Sequence, residues 1–75
     1  MSRLPVISGR EASRALAKIG YVLDRQVGSH MILRNESPPH RRLTIPDHKT
    51  LAKGTLRAII REAGLTVEEF VELAG

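Results

Sequence analysis

Apolar residues recur along the chain with two different periods, and the switches between them mark out its elements. Ala12, Ala15, Leu16 and Ile19 fall at i, i+3, i+4 and i+7, the spacing of one helix face. Ser8 precedes them with Glu11 three residues on, the spacing of a capping box, and Gly20 supplies a left-handed stop. These signals predict a helix over about residues 9–19, with Tyr21 folding back on Leu16. The period then shortens. "YVLDRQ" (21–26) and "SHMILRN" (29–35) read as strands joined by a tight turn at Val27-Gly28. "ESPPH" (36–40) is a loop stiffened by prolines, and "RRLTI" (41–45) a third strand ended by Pro46.

The short loop makes the last two strands an antiparallel hairpin. If Asn35 pairs with Arg41, Leu33 faces Leu43 and Met31 faces Ile45, and these four form a core face. His30, Ile32, Arg34, Arg42 and Thr44 then project from the other side. A slip of one residue would bury both arginines without partners, which is costly.

Helical spacing returns in "LAKGTLRAIIREAGL" (51–65), where Leu56, Ile59, Ile60 and Ala63 share a face. Gly64 stops this helix and Leu65 can fold back on Ile60. Thr66 and Glu69 form a second capping box, before a short last helix with Val67, Phe70, Val71 and Ala74 as its apolar face. A helix, three strands, a helix and a short helix make one α+β domain over residues 1–75, with helices layered on one face of the sheet.

Composition narrows the chemistry. Without cysteine there is no disulfide framework and no Cys-ligated zinc site. The N-terminus lacks the apolar stretch of a signal peptide and no apolar run could span a membrane, so a cytoplasmic protein is expected. Residues 1–61 carry all twelve Lys and Arg against four acids, while residues 62–75 carry four glutamates and no base. A basic body of this kind suits a polyanionic partner, and equally a merely solubilising surface. Nine of the bases are arginine, whose planar fork favours bidentate phosphate contact. With only Tyr21 and Phe70 as aromatics, no base-stacking platform can be built, so RNA would be read by backbone and shape.

His30 is the first candidate for chemistry. An imidazole exchanges protons near neutral pH, as cleavage of RNA through the ribose 2′-hydroxyl requires. Gly28 would let a phosphate backbone come close, and Ser29 could bond a phosphate oxygen or orient the ring. By spacing alone the signal is weak, since a lone histidine on a strand is usually structural or incidental. His48, beside Asp47, reads as a proton carrier or as a loop residue near Pro46, and His40 as a solvated loop residue. The histidines lack metal-site spacing, and no HExxH occurs. Lys53-Gly54-Thr55 opens the second long helix, where free amides and Lys53 would welcome phosphate, with Arg57 and Arg61 following. Ordinary capping by Thr55 reads as well. No P-loop is present. Arg10, Arg14 and Lys18 form a basic stripe on the first helix, either backbone-tracking or solvated.

In order and spacing, several motifs resemble those of the HicA (YcfA-like) toxins of bacterial toxin–antitoxin pairs. They are Gly20-Tyr21, Gly28-Ser29-His30, Ile45-Pro46 with His48, Gly54-Thr55-Leu56 with Ile59-Ile60, Ala63-Gly64-Leu65-Thr66 and Glu69-Phe70. The resemblance implies a double-stranded-RNA-binding-domain-like fold and an mRNA interferase, an endoribonuclease cutting mRNA without the ribosome. It places the catalytic histidine at His30. Its partner would be a HicB-type antitoxin that covers His30 and the bases around it. The expected RNA contacts are Gly28, Ser29, Arg34, Arg42, Lys53, Gly54, Thr55 and Arg57, with no metal, cofactor or membrane involved. Two departures, the aliphatic Met31-Ile32-Leu33 and the acid Asp47, would weaken RNA contact. The rival readings are a non-catalytic double-stranded-RNA-binding module and a domain that docks only an acidic protein.

Overall fold

Ser8 opens the first helix by the reciprocal bonding its spacing implies. Its Oγ accepts from the Glu11 amide at 3.0 Å, and Glu11 Oε1 accepts from the Ser8 amide at 2.9 Å. The computed structural model, which describes residues 3–75, places this helix, α1, at Gly9–Ala17. It stops two residues short of the expected end. The amides of Lys18, Ile19 and Gly20 bond three residues back instead of four, which tightens the last turn. Gly20 then turns the chain at φ +98°, and the Asn35 side-chain amide donates to the Ile19 carbonyl at 3.1 Å.

Strands β1 (Tyr21–Val27), β2 (His30–Asn35) and β3 (Arg42–Pro46) form an antiparallel sheet in that order. Leu33 pairs with Leu43 and Met31 with Ile45, the register expected from alternation, and all four are buried. Two details differ. Val27 pairs with His30, so the tight turn is Gly28-Ser29 rather than Val27-Gly28. Gly28 takes φ +59°, the left-handed first position of a two-residue hairpin. Pro46 belongs to β3 and pairs with His30 instead of ending the strand before it, as an edge strand allows.

The sequence pattern does not announce the β-bulge at Asp24. Leu23 pairs with Leu33 and Arg25 with Ile32, leaving Asp24 as the extra residue. The bulge inverts the facing of everything after it. Tyr21 and Leu23 lie on the core side, whereas Arg25 and Val27 go to the open side and Gln26 returns to the core side opposite Met31.

Helix α2 (Lys53–Glu62) ends as a Schellman motif: the Leu65 amide bonds the Ile60 carbonyl at 3.1 Å and the Gly64 amide the Arg61 carbonyl at 3.0 Å. Its start is not capped by Thr55. Ala52 occupies the N-cap without any side-chain bond, because Leu51, buried and bonded to the Ile7 carbonyl at 2.8 Å, directs the chain into the helix earlier. Helix α3 (Val67–Ala74) has the expected Thr66–Glu69 capping box. It lies against α1 with Phe70 fully buried and Leu73 packed on the core, while Ala74, expected on that face, is exposed.

The helices cover the face built by Met31, Leu33, Leu43 and Ile45 and leave the other face open. This is the expected α+β arrangement. Both α1 and α2 start at the end of the sheet where His30 meets Pro46, since the Gly9 amide bonds the His48 carbonyl at 2.9 Å and Leu51 bonds Ile7. That approach is close: a Cβ on Gly9 would overlap the Pro46 carbonyl oxygen. Replacing Gly9 with Ala should therefore destabilise the protein by about 1–3 kcal/mol, read as a lower urea midpoint at unchanged slope. A neutral result would mean that α1 does not rest on β3 this tightly.

Candidate functional site

The open face of the sheet gathers the chemistry. His30 is the first residue of β2, exposed, with Val27 beside it on β1 and Pro46 on β3. Along the same strand face come Ile32 and Arg34, both half-buried. Arg34 lies opposite Arg42, and Arg25 opposite Ile32. The alternation rule placed His30, Arg34 and Arg42 here. It could not place Arg25, because the facing of β1 depends on the bulge.

Gly28 and Ser29 precede His30 on an open turn. A Cβ at Gly28 would meet nothing within 4 Å, so conformation and not crowding calls for glycine here. The same openness leaves room beside His30 for a bulky ligand. Arg42 is partly engaged, its Nη1 bonding Asp24 Oδ2 at 3.0 Å across the open face. Such an exposed pair is worth no more than about 1 kcal/mol, so a phosphate can replace the carboxylate. Among the described residues, Arg25 and Arg34 enter no ion pair.

The remaining candidates lie elsewhere. Lys53, Gly54, Thr55 and Arg57 open α2 on the helical side of the sheet. There Lys53 and Arg57 line an open groove of about 500 Å³ with Arg3, Leu4, Val6 and Val67. They share an end of the molecule with His30 but not its face. His40 is far from both, at the other end of β2, with φ +60° and Nδ1 3.1 Å from the Asn35 carbonyl.

Of the two readings of His48, the pair with Asp47 does not form, because the carboxylate is engaged elsewhere. The Asp47 carboxylate accepts two bonds from Arg10, at 3.0 and 3.1 Å, and one from Gln26 Nε2 at 3.1 Å. Two bases of the α1 stripe, though exposed, are engaged by other parts of the fold. Arg10 binds Asp47, and Lys18 Nζ donates to the Leu73 carbonyl at 2.6 Å. Among the described residues, no three or more His, Cys, Asp or Glu side chains come together as a metal site, and no helix is long and apolar enough to cross a membrane.

The model of the HicA toxins of bacterial toxin–antitoxin systems matches residues 9–65, from the first residue of α1 to just past the stop of α2. The chain belongs to the HicA toxin family. It is thus the toxin half of a toxin–antitoxin pair, and its family implies an antitoxin as partner. No curated protein matches the chain. The match takes in the whole sheet, His30 and the opening of α2, and leaves out α3, the acidic end of this HicA-family chain.

The charges around the site also set a pH dependence. Donation from Arg10, and then from Gln26, holds the Asp47 carboxyl below its ordinary value. The Ser8 backbone amide does the same to Glu11. Each group binds fewer protons folded than unfolded, so each stabilises the fold above the unfolded carboxyl range of about 4. That contribution is lost as pH falls through the lower folded value. Urea midpoints should accordingly rise with pH across the acid range, and Asp47→Asn should flatten part of that rise while leaving the Glu11 part. Identical acid limbs for the two proteins would exclude the Asp47 contribution.

Proposed function

We propose that this HicA-family toxin is a metal-independent endoribonuclease that cleaves mRNA, with His30 as its general base or acid. The observation that carries the reading is the placement of an exposed imidazole on the open sheet face that also carries Arg25, Arg34 and Arg42. Cleavage of RNA needs little more in kind. A base withdraws the ribose 2′-hydroxyl proton, the 2′-oxygen attacks the adjacent phosphorus, and the 5′-oxygen leaves with a proton from an acid. RNA carries its own nucleophile, so a single well-placed imidazole supplies useful catalysis, typically ~10²–10⁴-fold.

The arginines of the open face would hold the phosphates, with Gly28 and Ser29 giving access beside His30. Lys53, Gly54, Thr55 and Arg57 would take phosphates on the helical side, where the uncapped start of α2 leaves its first amides free. The near-absence of aromatics on that surface favours reading of backbone and shape over stacking of bases. A HicB-type antitoxin would inhibit by presenting acids to the same open face. An mRNA substrate would put the protein in the cytoplasm.

With purified protein in EDTA, His30→Ala should lower RNA cleavage ~100-fold or more and leave RNA affinity within a few-fold. His48→Ala should retain most activity. Loss of cleavage in the His48 variant but not the His30 variant would reverse the assignment. Binding without cleavage by the unaltered protein would favour a non-catalytic RNA-binding module. Affinity should also fall with salt, with a log–log slope of about −0.7 to −0.9 per phosphate contacted. Negligible affinity at moderate salt would favour a domain that docks only protein.

A further inference from the structure

The bonds that converge on Asp47 form a clamp around the turn that carries His30. The Asp47 amide donates to the Ser29 carbonyl at 2.6 Å. Gln26 Nε2 bridges the Gly28 carbonyl, at 3.2 Å, and Asp47 Oδ2, at 3.1 Å. Arg10 grips the same carboxylate with both Nε and Nη2. Four parts of the fold therefore meet at one residue: the start of α1 and the end of β1 at its carboxylate, the β1–β2 turn at its amide, and the segment leaving β3 that carries it.

Two oddities of the sequence make sense in this light. Arg10 sits in the first turn of α1, where the helix dipole disfavours a cation, and a bidentate carboxylate offsets that cost. The bulge at Asp24 is what turns Gln26 to the core side, from which its amide reaches both Gly28 and Asp47. An unbroken strand would send Gln26 to the open face.

We propose that Asp47, held by Arg10 and Gln26, is a positioning residue that fixes the Gly28-Ser29 turn and with it the backbone from which His30 projects. The assignment rests on the nuclease reading for its purpose, but not for its geometry. It also explains an acid so close to a surface meant for RNA. Taken only as a charge, Asp47 repels phosphate, and removing it should tighten RNA binding and speed cleavage. Taken as a clamp, its removal should slow cleavage although affinity holds or improves. The two accounts therefore differ in the rate at saturation, which only the clamp lowers.

The test compares the unaltered protein with Asp47→Ala, Gln26→Ala, Arg10→Asp and the reciprocal double variant R10D/D47R. Amide hydrogen exchange is followed at residue 47, whose N–H bonds Ser29, and at Leu33 and Ile45 in the core. Cleavage is measured under single turnover at saturating protein, and RNA affinity is measured separately. In Asp47→Ala, exchange at residue 47 should quicken ~10-fold and by more than at the core amides, and the saturated cleavage rate should fall ~10–100-fold with affinity unchanged or tighter. Gln26→Ala and Arg10→Asp should move both readouts the same way. The reciprocal variant, which restores the pair and gives α1 an acid in its first turn, should recover most of each. The clamp is overturned by a saturated cleavage rate that does not fall in Asp47→Ala, by core amides that quicken in step with residue 47, or by no recovery in the reciprocal variant. Should the unaltered protein fail to cleave RNA, the nuclease reading fails alone, and the exchange measurements still decide the clamp.

Discussion

The pairing of β2 with β3 governs everything else in this molecule. Leu33 against Leu43 and Met31 against Ile45 form an apolar face that α1, α2 and α3 cover. Because side chains alternate strictly along a strand, the same pairing sends His30, Arg34 and Arg42 to the uncovered face. Burying the aliphatic set and exposing the basic set are one event. A shift of register would forfeit both, and it would place guanidinium groups beneath three helices without partners.

Against that rigid pair, β1 is the adaptable strand. Only Tyr21 of its residues is buried, and the bulge at Asp24 reverses its facing midway. The reversal has two effects of opposite character. It adds Arg25 and Val27 to the open face around His30, and it withdraws Gln26 to brace the turn from behind. It also twists an otherwise exposed edge, which discourages pairing with other strands.

The charges divide by use. Arg10 and Lys18 are engaged by the fold, one by a carboxylate and one by the last turn of α3, so fewer basic side chains are free for a ligand than the sequence counts. Arg25 and Arg34 enter no ion pair among the described residues, and Arg42 is held only by an exposed pair that a phosphate can displace. Lys53 and Arg57 form a second basic region on the helical side, beside a helix start that no acid or side-chain cap neutralises. Membership of the HicA toxins gives the protein an antitoxin as partner.

Local rules were enough for much of the fold. Both capping boxes, the glycine stops, the β2–β3 register and the projection of His30 away from the core follow from neighbours in sequence and from the fixed periods of helix and strand. Those interactions span a few residues, or depend on a pattern too regular to be read in two ways. The bulge, the bidentate hold of Arg10 on Asp47, the use of Leu73 rather than Ala74 and the separation of Lys53 and Arg57 from the face of His30 do not follow from such rules. Arg10 and Asp47 lie 37 residues apart, and nothing local ties a first-turn cation to a carboxylate beyond the third strand. Only the close seating of Gly9 on Pro46 brings them together, so the packing of α1 on the sheet decided that these charges would serve each other.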